Sequence, residues 1–408
     1  MQTSLPPTLL DTPDGQQADR ILRSCVHCGF CTATCPTYLE TGNELDSPRG
    51  RIYLIKELLE SGTATRITQI HLDRCLSCQS CETTCPSDVN YHQLLDIGRR
   101  SIGKKVKRPL SARLKRKFLL AILGSRSLFA LLVSVGRAFR FLLPQSLEKQ
   151  LSATGDRFPM IKQERSVQSR KVILLDGCVQ SSLSPSTNKA AQMVLNRLGI
   201  ESITLNYESC CGAMHYHSDQ QTAGLRRARL LIDQLNEALA EGYEAIISTA
   251  SGCGNFIKQY HEILGNDPQY ATKTETVTSA TRDIVEYLGE QDLSVLNFPG
   301  NETLAFHAPC TLQHGQKLAG HTEKLLRELG FTVPAITDAH ICCGSAGTYS
   351  LFQPKMSAAL RGKKLEVLGN VGAEKIATAN IGCQCHLASE SPRPVRHWIE
   401  YVAEALGH

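Results

Sequence analysis

Cys25-Val26-His27-Cys28-Gly29-Phe30-Cys31-Thr32-Ala33-Thr34-Cys35-Pro36 is the stretch whose reading decides the fold. Its spacing is C-x2-C-x2-C-x3-C-P, and Cys75-Leu76-Ser77-Cys78-Gln79-Ser80-Cys81-Glu82-Thr83-Thr84-Cys85-Pro86 repeats it. Three thiolates at i, i+3 and i+6 sit on a tight loop that wraps one corner of a cubane iron–sulfur cluster. The fourth cysteine points away from that cube, and the proline after it stops the chain from winding on as helix.

Two such runs predict a module with two [4Fe-4S] clusters. In two-cluster ferredoxins the fourth cysteine of each run ligates the other cluster. The expected sets are therefore Cys25, Cys28, Cys31 and Cys85 for one cluster, and Cys75, Cys78, Cys81 and Cys35 for the second. The crossing ties the runs together in space and makes an electron wire rather than a catalyst. Zinc also takes four thiolates from paired C-x2-C units, but such sites rarely need the third and fourth cysteines of these runs. A disulfide framework fits worse, because such scaffolds are short and secreted and this chain has 408 residues.

Working outward, the composition is that of a globular protein with two or three domains: 42% hydrophobic, 20% charged, formal net charge +5. Met1 to Gln17 has no apolar h-region and reads as neither signal nor transit peptide. Seventeen cysteines without a signal imply a reducing, cytoplasmic setting. Residues 1–20 read as a polar lead-in and 21–98 as the ferredoxin domain, mostly α-helical. Between the runs, Ser47-Pro48 is a helix start, and Ile52, Ile55, Leu58 and Leu59 fall on one face. Arg49 and Arg51 read either as counter-charges to a cluster or as solvated helix charges.

Residues 99–170 form a basic helical segment and linker, the linker covering 144–170. Thirteen Lys/Arg lie between Arg99 and Arg140, and no Asp or Glu occurs from Ile97 to Leu147. The apolar run from Phe118 to Leu143 is broken by Arg126, Arg137 and Arg140, so it is no clean membrane span. It reads as a solvated basic face, or as a docking surface for a partner subunit or for anionic lipid. Nucleic acid is a poor partner, since no stacking aromatics interleave the charges.

The second half is a repeat, 171–290 and 301–408. An apolar strand ends in Cys178 and again in Cys310, and Cys210-Cys211-Gly212 recurs as Cys342-Cys343-Gly344. A helical stretch, a strand (Ala245–Ser248, Lys375–Thr378) and Gly-Cys (Gly252-Cys253, Gly382-Cys383) follow in each. Strand–helix–strand alternation predicts duplicated α/β units with parallel strands, making the whole an α+β multidomain protein. Cys178, Cys210, Cys211 and Cys253, and Cys310, Cys342, Cys343 and Cys383, offer four thiols each for a further cluster or a zinc ion. Alternatively they pack as small apolar residues. In the second set a constant offset picks Cys385, whereas the local Gly-Cys match picks Cys383. His27, His215, His217 and His307 stand near these cysteines and are assigned no role. No catalytic residue, phosphate loop, nicotinamide fingerprint or flavin fingerprint is evident.

Together these motifs resemble the iron–sulfur subunits of membrane-associated flavin dehydrogenases, and the Cys-Cys-Gly domain is similar to that of the heterodisulfide reductases. The first cysteine run through Tyr38, Pro48–Lys56, Cys342–Tyr349 and Arg396-His397-Trp398-Ile399-Glu400 resemble the glycolate oxidase iron–sulfur subunits over nearly the full length. That resemblance implies electron transfer from an FAD-containing 2-hydroxy acid dehydrogenase subunit, which oxidises glycolate to glyoxylate, toward quinone or another acceptor. FAD would sit only on the partner. Peripheral contact with the inner face of the cell membrane is expected through the basic segment. Sister subunits serve glycerol 3-phosphate or D-lactate oxidation, and a heterodisulfide-reductase-like activity at the Cys-Cys-Gly sites is the other alternative. The latter family closes each repeat with C-x2-C, whereas Phe256 and His386 stand in those places here.

Overall fold

The computed structural model describes residues 1–142, 148, 170–205, 210–296 and 302–407. The linker expected over 144–170 lies outside them, apart from 148 and 170. The chain divides into two compact units. The first comprises Met1–Phe118, His217–Gln221 and His340–Lys364; the second comprises Leu119–Tyr216, Thr222–Ala339 and Leu365–His408.

The first unit is built on helices. In helix Pro48–Ser61 the Ser47 hydroxyl accepts the Gly50 N–H at 3.0 Å, and proline takes a first-turn position where its missing N–H costs nothing. The helix buries Ile52, Ile55, Leu58 and Leu59 in a core shared with Ala18, Leu22, Leu94, Leu95 and Ile102. Each such aliphatic side chain contributes about 2 kcal/mol on leaving water. The stretch expected as a polar lead-in is helical instead, with helices Pro7–Leu10 and Pro13–Ser24. Thr12 caps the second of these, and its buried stripe of Gly15, Ala18, Ile21 and Leu22 is too small-sided to stand out as periodicity.

His340–Lys364 is anchored within this first unit. The Tyr349 hydroxyl donates to the Arg74 carbonyl at 3.0 Å, Lys363 pairs with Glu40 at 2.6 Å, and the Arg116 guanidinium lies 4.4 Å from the Phe352 ring centroid. Arg108 bridges Asp73 and Asp219, tying in the short segment around Asp219.

The second unit holds two parallel sheets. Strands β1 (Arg170–Leu174), β2 (Ile200–Ile203), β3 (Ala245–Ser248) and β4 (Thr281–Asp283) run in the order β2-β1-β3-β4. Strands β5 (Leu304–His307), β6 (Lys375–Thr378) and β7 (Val395–His397) form the other sheet in sequence order. Val172 lies opposite Ala245, and Ile246 opposite Thr281. All four residues of β3 and of β5 are buried, as parallel strands covered on both faces require. The chain leaves β1 toward β2 on one side, whereas β3 lies on the other, so β1 and β3 flank a topological switch point. Open α/β sheets place their ligand sites beyond the strand carboxyl ends at such a point. Cys178 follows β1 there, and Cys253 follows β3 in helix Ser251–Lys258.

Candidate metal centres

The two cysteine runs of the first unit share one backbone. Positive φ at His27 (56°) and Gly29 (86°) recurs at Ser77 (52°) and Gln79 (61°). Left-handed residues of this kind turn N–H groups inward and form an anion-binding concavity. The Ser77 N–H donates to Cys75 Sγ at 3.4 Å, and the N–H groups of His27 and Arg49 serve Cys25 and Cys31 in the same way.

Cys35, Cys75, Cys78 and Cys81 line one cavity, of about 390 Å³ with its open solvent included. Cys25, Cys28, Cys31 and Cys85, together with Cys81, line another of about 430 Å³. Tyr91 borders both and is buried, in contact with Cys75. Burial pushes the Cys31 thiol up to about 11 and the Cys81 thiol well above its usual range. A metal that binds such thiols must displace their protons and supply the charge that stabilises the thiolates. Two fours of thiols, with N–H groups aimed at sulfur, fit a pair of iron–sulfur clusters.

The two arginines that the sequence left open part company. Arg49 stays at the surface, paired with Glu44 at 2.5 Å. Arg51 is 1% exposed, with Nη1 4.0 Å from Cys35 Sγ. Its Nε donates to the His71 carbonyl at 2.8 Å and its Nη2 to Thr37 Oγ1 at 3.0 Å. Desolvation opposes its charge, but the neighbouring Cys75, Tyr91, Cys35 and Asp46 outweigh that and hold it protonated. The fully buried Asp46 carboxylate accepts from His71 Nδ1 at 2.8 Å and Arg74 Nη1 at 2.9 Å. Arg99 donates to the Cys75 carbonyl at 2.8 Å. Nothing in the sequence singles out Asp46, Thr37, Tyr91 or Arg99. Arg51 itself carries a signal, since it shares the helix face of Ile55 and Leu58.

In the second unit Cys178, Cys210, Cys211 and Cys253 converge. The Cys178 thiol donates to Cys210 Sγ at 3.3 Å, and Cys211 bonds Cys210 and Cys253. Cys210 is the sulfur that ionises first: the thiols of Cys178 and Cys211 and the Gly212 N–H all stabilise its thiolate and pull it well below the ordinary thiol range. Gly212 is required by geometry. Its φ is +93°, and a Cβ there would lie 2.4 Å from the Gly224 carbonyl oxygen of helix Gln221–Ala240. The Tyr260 hydroxyl donates to the Cys211 carbonyl at 2.7 Å, and Phe256 packs between Tyr216 and Tyr260 at centroid distances of 5.4 and 5.5 Å. That aromatic wall occupies the place where the heterodisulfide reductase pattern has a cysteine.

The second repeat reuses the device. Gly344, in the first unit, has φ +90°, and a Cβ would meet the Ser357 carbonyl oxygen at 2.6 Å. Its N–H donates to Cys342 Sγ at 3.4 Å, and Cys343 beside it is buried. In the second unit Cys310 follows β5, and Cys383 and Cys385 lie buried on helix Ile381–Ala388 after β6. Asn380 Nδ2 donates to Cys383 Sγ at 3.7 Å, while burial pushes Cys385 up to about 12. None of the seventeen cysteines, all among the described residues, is in a disulfide. Of the histidines, His215 is buried with Nδ1 unpartnered among the described residues, and His217 faces Asp96 at 3.3 Å.

Residues 21–89 match the 4Fe-4S dicluster domain family, and residues 172–258 and 304–388 each match the cysteine-rich domain family. The glycolate oxidase iron–sulfur subunit of Escherichia coli K12 is 50% identical over 406 residues, spanning 100% of this chain and 99% of that protein. The chain belongs to the glycolate oxidase iron–sulfur subunit family. A probable glycolate oxidase iron–sulfur subunit of Bacillus subtilis is 28% identical over 95% of this chain and 94% of its own length. A subunit of the fumarate reductase (CoM/CoB) of Methanothermobacter marburgensis is 25% identical over 92% of this chain and 69% of its own. The fold recurs in the crystal structure of a hypothetical protein from Helicobacter pylori, with a TM-score of 0.56 at 11% identity, covering 97% of this chain and 72% of that one. The members of that family are iron–sulfur subunits of an oxidoreductase complex.

Proposed function

We propose that this subunit carries electrons one at a time from an FAD-containing partner, which oxidises glycolate to glyoxylate, toward quinone or another acceptor. The observation that carries the reading is the full-length match to a glycolate oxidase iron–sulfur subunit, together with two cavities lined by four and five cysteines, each drawing on both runs. Cys25, Cys28, Cys31 and Cys85 hold one [4Fe-4S] cluster; Cys75, Cys78, Cys81 and Cys35 hold the second. When bound, such clusters supply one-electron redox chemistry at potentials set by their surroundings. The chain's own part is to bind and tune. The cysteines ligate as thiolates, the loop N–H groups offset sulfur charge, and Tyr91 and the apolar core keep water from the space between the cavities.

Cys178, Cys210, Cys211 and Cys253 hold a third centre, supported by the contact among the four sulfurs. Its occupant is iron–sulfur or zinc. Peripheral contact with the cell membrane is supported by helix Arg126–Ala138, which exposes Leu128, Leu131, Leu132 and Val135 beside basic Arg137. Among the described residues no single helix is long and apolar enough to cross a membrane.

The test is anaerobic purification of the tagged chain with whatever binds it, followed by dye reduction with glycolate, D-lactate and glycerol 3-phosphate. Glycolate-driven reduction with a flavoprotein present is the expected result. Activity with another substrate would move the subunit to a sister oxidase, and no flavoprotein with no activity would sink the electron-transfer reading. Total iron of about eight per chain would limit the protein to two cubanes.

A further inference from the structure

We propose that Arg51 sets the two cluster sites of the first unit at unequal potentials, holding the site lined by Cys35, Cys75, Cys78 and Cys81 above the one lined by Cys25, Cys28, Cys31 and Cys85. The inference rests on the reading of those cysteines as ligands of two one-electron centres. A fixed positive charge in a poorly polarisable surrounding favours the more negative of two redox states beside it. The effect grows as the effective dielectric falls, and water and salt screen the same charge at the surface.

Arg51 meets these conditions on one side only. Its guanidinium is buried, lies 4.0 Å from Cys35 Sγ and is held by two neutral oxygens, the His71 carbonyl and Thr37 Oγ1. The nearby carboxylate of Asp46 is taken first by His71 and Arg74, at 2.8 and 2.9 Å, and reaches Arg51 only at 3.6 Å. A second buried guanidinium, Arg99, donates to the Leu72 and Cys75 carbonyls and to Ser77 Oγ. The acids on this side have their own partners: Glu82 faces His92 at 3.0 Å, and Asp96 faces His217 at 3.3 Å.

Around the other site the cations among the described residues are Arg49, exposed and neutralised by Glu44, and the Met1 amine, 2.8 Å from the Cys25 carbonyl. An electron shared between the sites therefore rests on the side of Arg51. One centre is reduced as the other is oxidised, with no bond made or broken and no proton moved.

The experiment is an EPR-monitored redox titration of the anaerobically purified full-length chain, with iron analysis, for wild type, Arg51→Met, Arg51→Lys and Asp46→Asn. Cys78→Ser identifies the upper step by abolishing it. Arg51→Met is expected to lower the upper step so that, at the wild-type midpoint, its reduced-to-oxidised ratio falls at least about tenfold, or 59 mV for one electron. The lower step should move far less. Arg51→Lys should keep most of the wild-type separation. Asp46→Asn removes a negative charge and should shift the same step upward, which keeps the test open should Arg51→Met fail to fold. Iron-replete variants with both midpoints unmoved, or moved equally, would overturn the role of Arg51. So would an upper step that survives Cys78→Ser and disappears with Cys28→Ser. A wild-type chain with well under eight iron atoms and one resonance would instead overturn the two-centre reading, and this inference with it.

Discussion

Gly212→Ala makes the sharpest demand on the Cys-Cys-Gly geometry. At φ +93° an alanine pays a left-handed penalty of about 1 kcal/mol. Its Cβ would also sit 2.4 Å from the Gly224 carbonyl oxygen and 3.1 Å from the Gly224 carbonyl carbon. Those atoms are helix backbone and cannot rotate away, so the helix or the Cys210-Cys211 turn must shift, at about 2 kcal/mol more. The expected total is about 3 kcal/mol. Gly199→Ala is the matched control in the same unit: φ is +70°, but nothing among the described residues lies within 4 Å of the new Cβ, so only the first term applies. Trp398, the sole tryptophan, is fully buried in the second unit and reports its unfolding by fluorescence. With a urea slope of about 3 kcal/mol per molar, Gly212→Ala should lower the midpoint by about 1 M and Gly199→Ala by about 0.3 M. Equal midpoints for the two variants would refute the argument that close backbone packing, rather than φ alone, fixes this glycine.

Ligand crossing predicts which cysteine variants share a phenotype. Cys35→Ser should abolish the same EPR resonance as Cys78→Ser, and Cys85→Ser the same one as Cys28→Ser; pairing within each run would contradict the assignment. Burial pushes the Asp283 carboxyl up to about 7. The native state then keeps a proton that the unfolded chain loses near its ordinary value, so this group's contribution is fullest below about pH 4 and falls as pH rises toward 7. Relative to wild type, Asp283→Asn should therefore gain about 3 kcal/mol between pH 5 and pH 8 in urea midpoints, and an unchanged difference would show the carboxyl to be ionised throughout. Burial drives His397 the other way, down to about 3. The native ring stays neutral while the unfolded one protonates, so stability is lost as pH falls below about 6.5, by about 2 kcal/mol at pH 5. His397→Asn, which can still cap helix Trp398–Ala405, should flatten that acid limb; a limb as steep as in wild type would assign it to other groups.

How far the sequence could be read follows from how local each signal is. The cysteine runs are legible because their ligand spacing lies within one loop, and helix Pro48–Ser61 because its cap and its stripe are both explicit. Helix Pro13–Ser24 hid because Gly15 and Ala18 bury as well as leucine does when a neighbour comes close, yet carry little hydrophobic signal. Arg51 occupies an apolar stripe position, but nothing adjacent in sequence announces Thr37, His71 and Asp46 around it; only the folded chain brings them together. Cys383 and Cys385 sit about 200° apart on one helix and are both buried, so spacing and burial alone leave the choice between them open.

The first unit is not contiguous in the chain: it includes His340–Lys364. At roughly 5–20 residues per second of synthesis, about 13 to 50 seconds separate the emergence of Cys85 from that of His340. Throughout that interval the eight thiols of the two cysteine runs belong to a nascent fragment without its last piece, exposed to whatever oxidant the compartment holds. A truncated protein ending near residue 118 would be that unfinished state made permanent. It would report on how such thiols fare before assembly, rather than on the electron carrier itself.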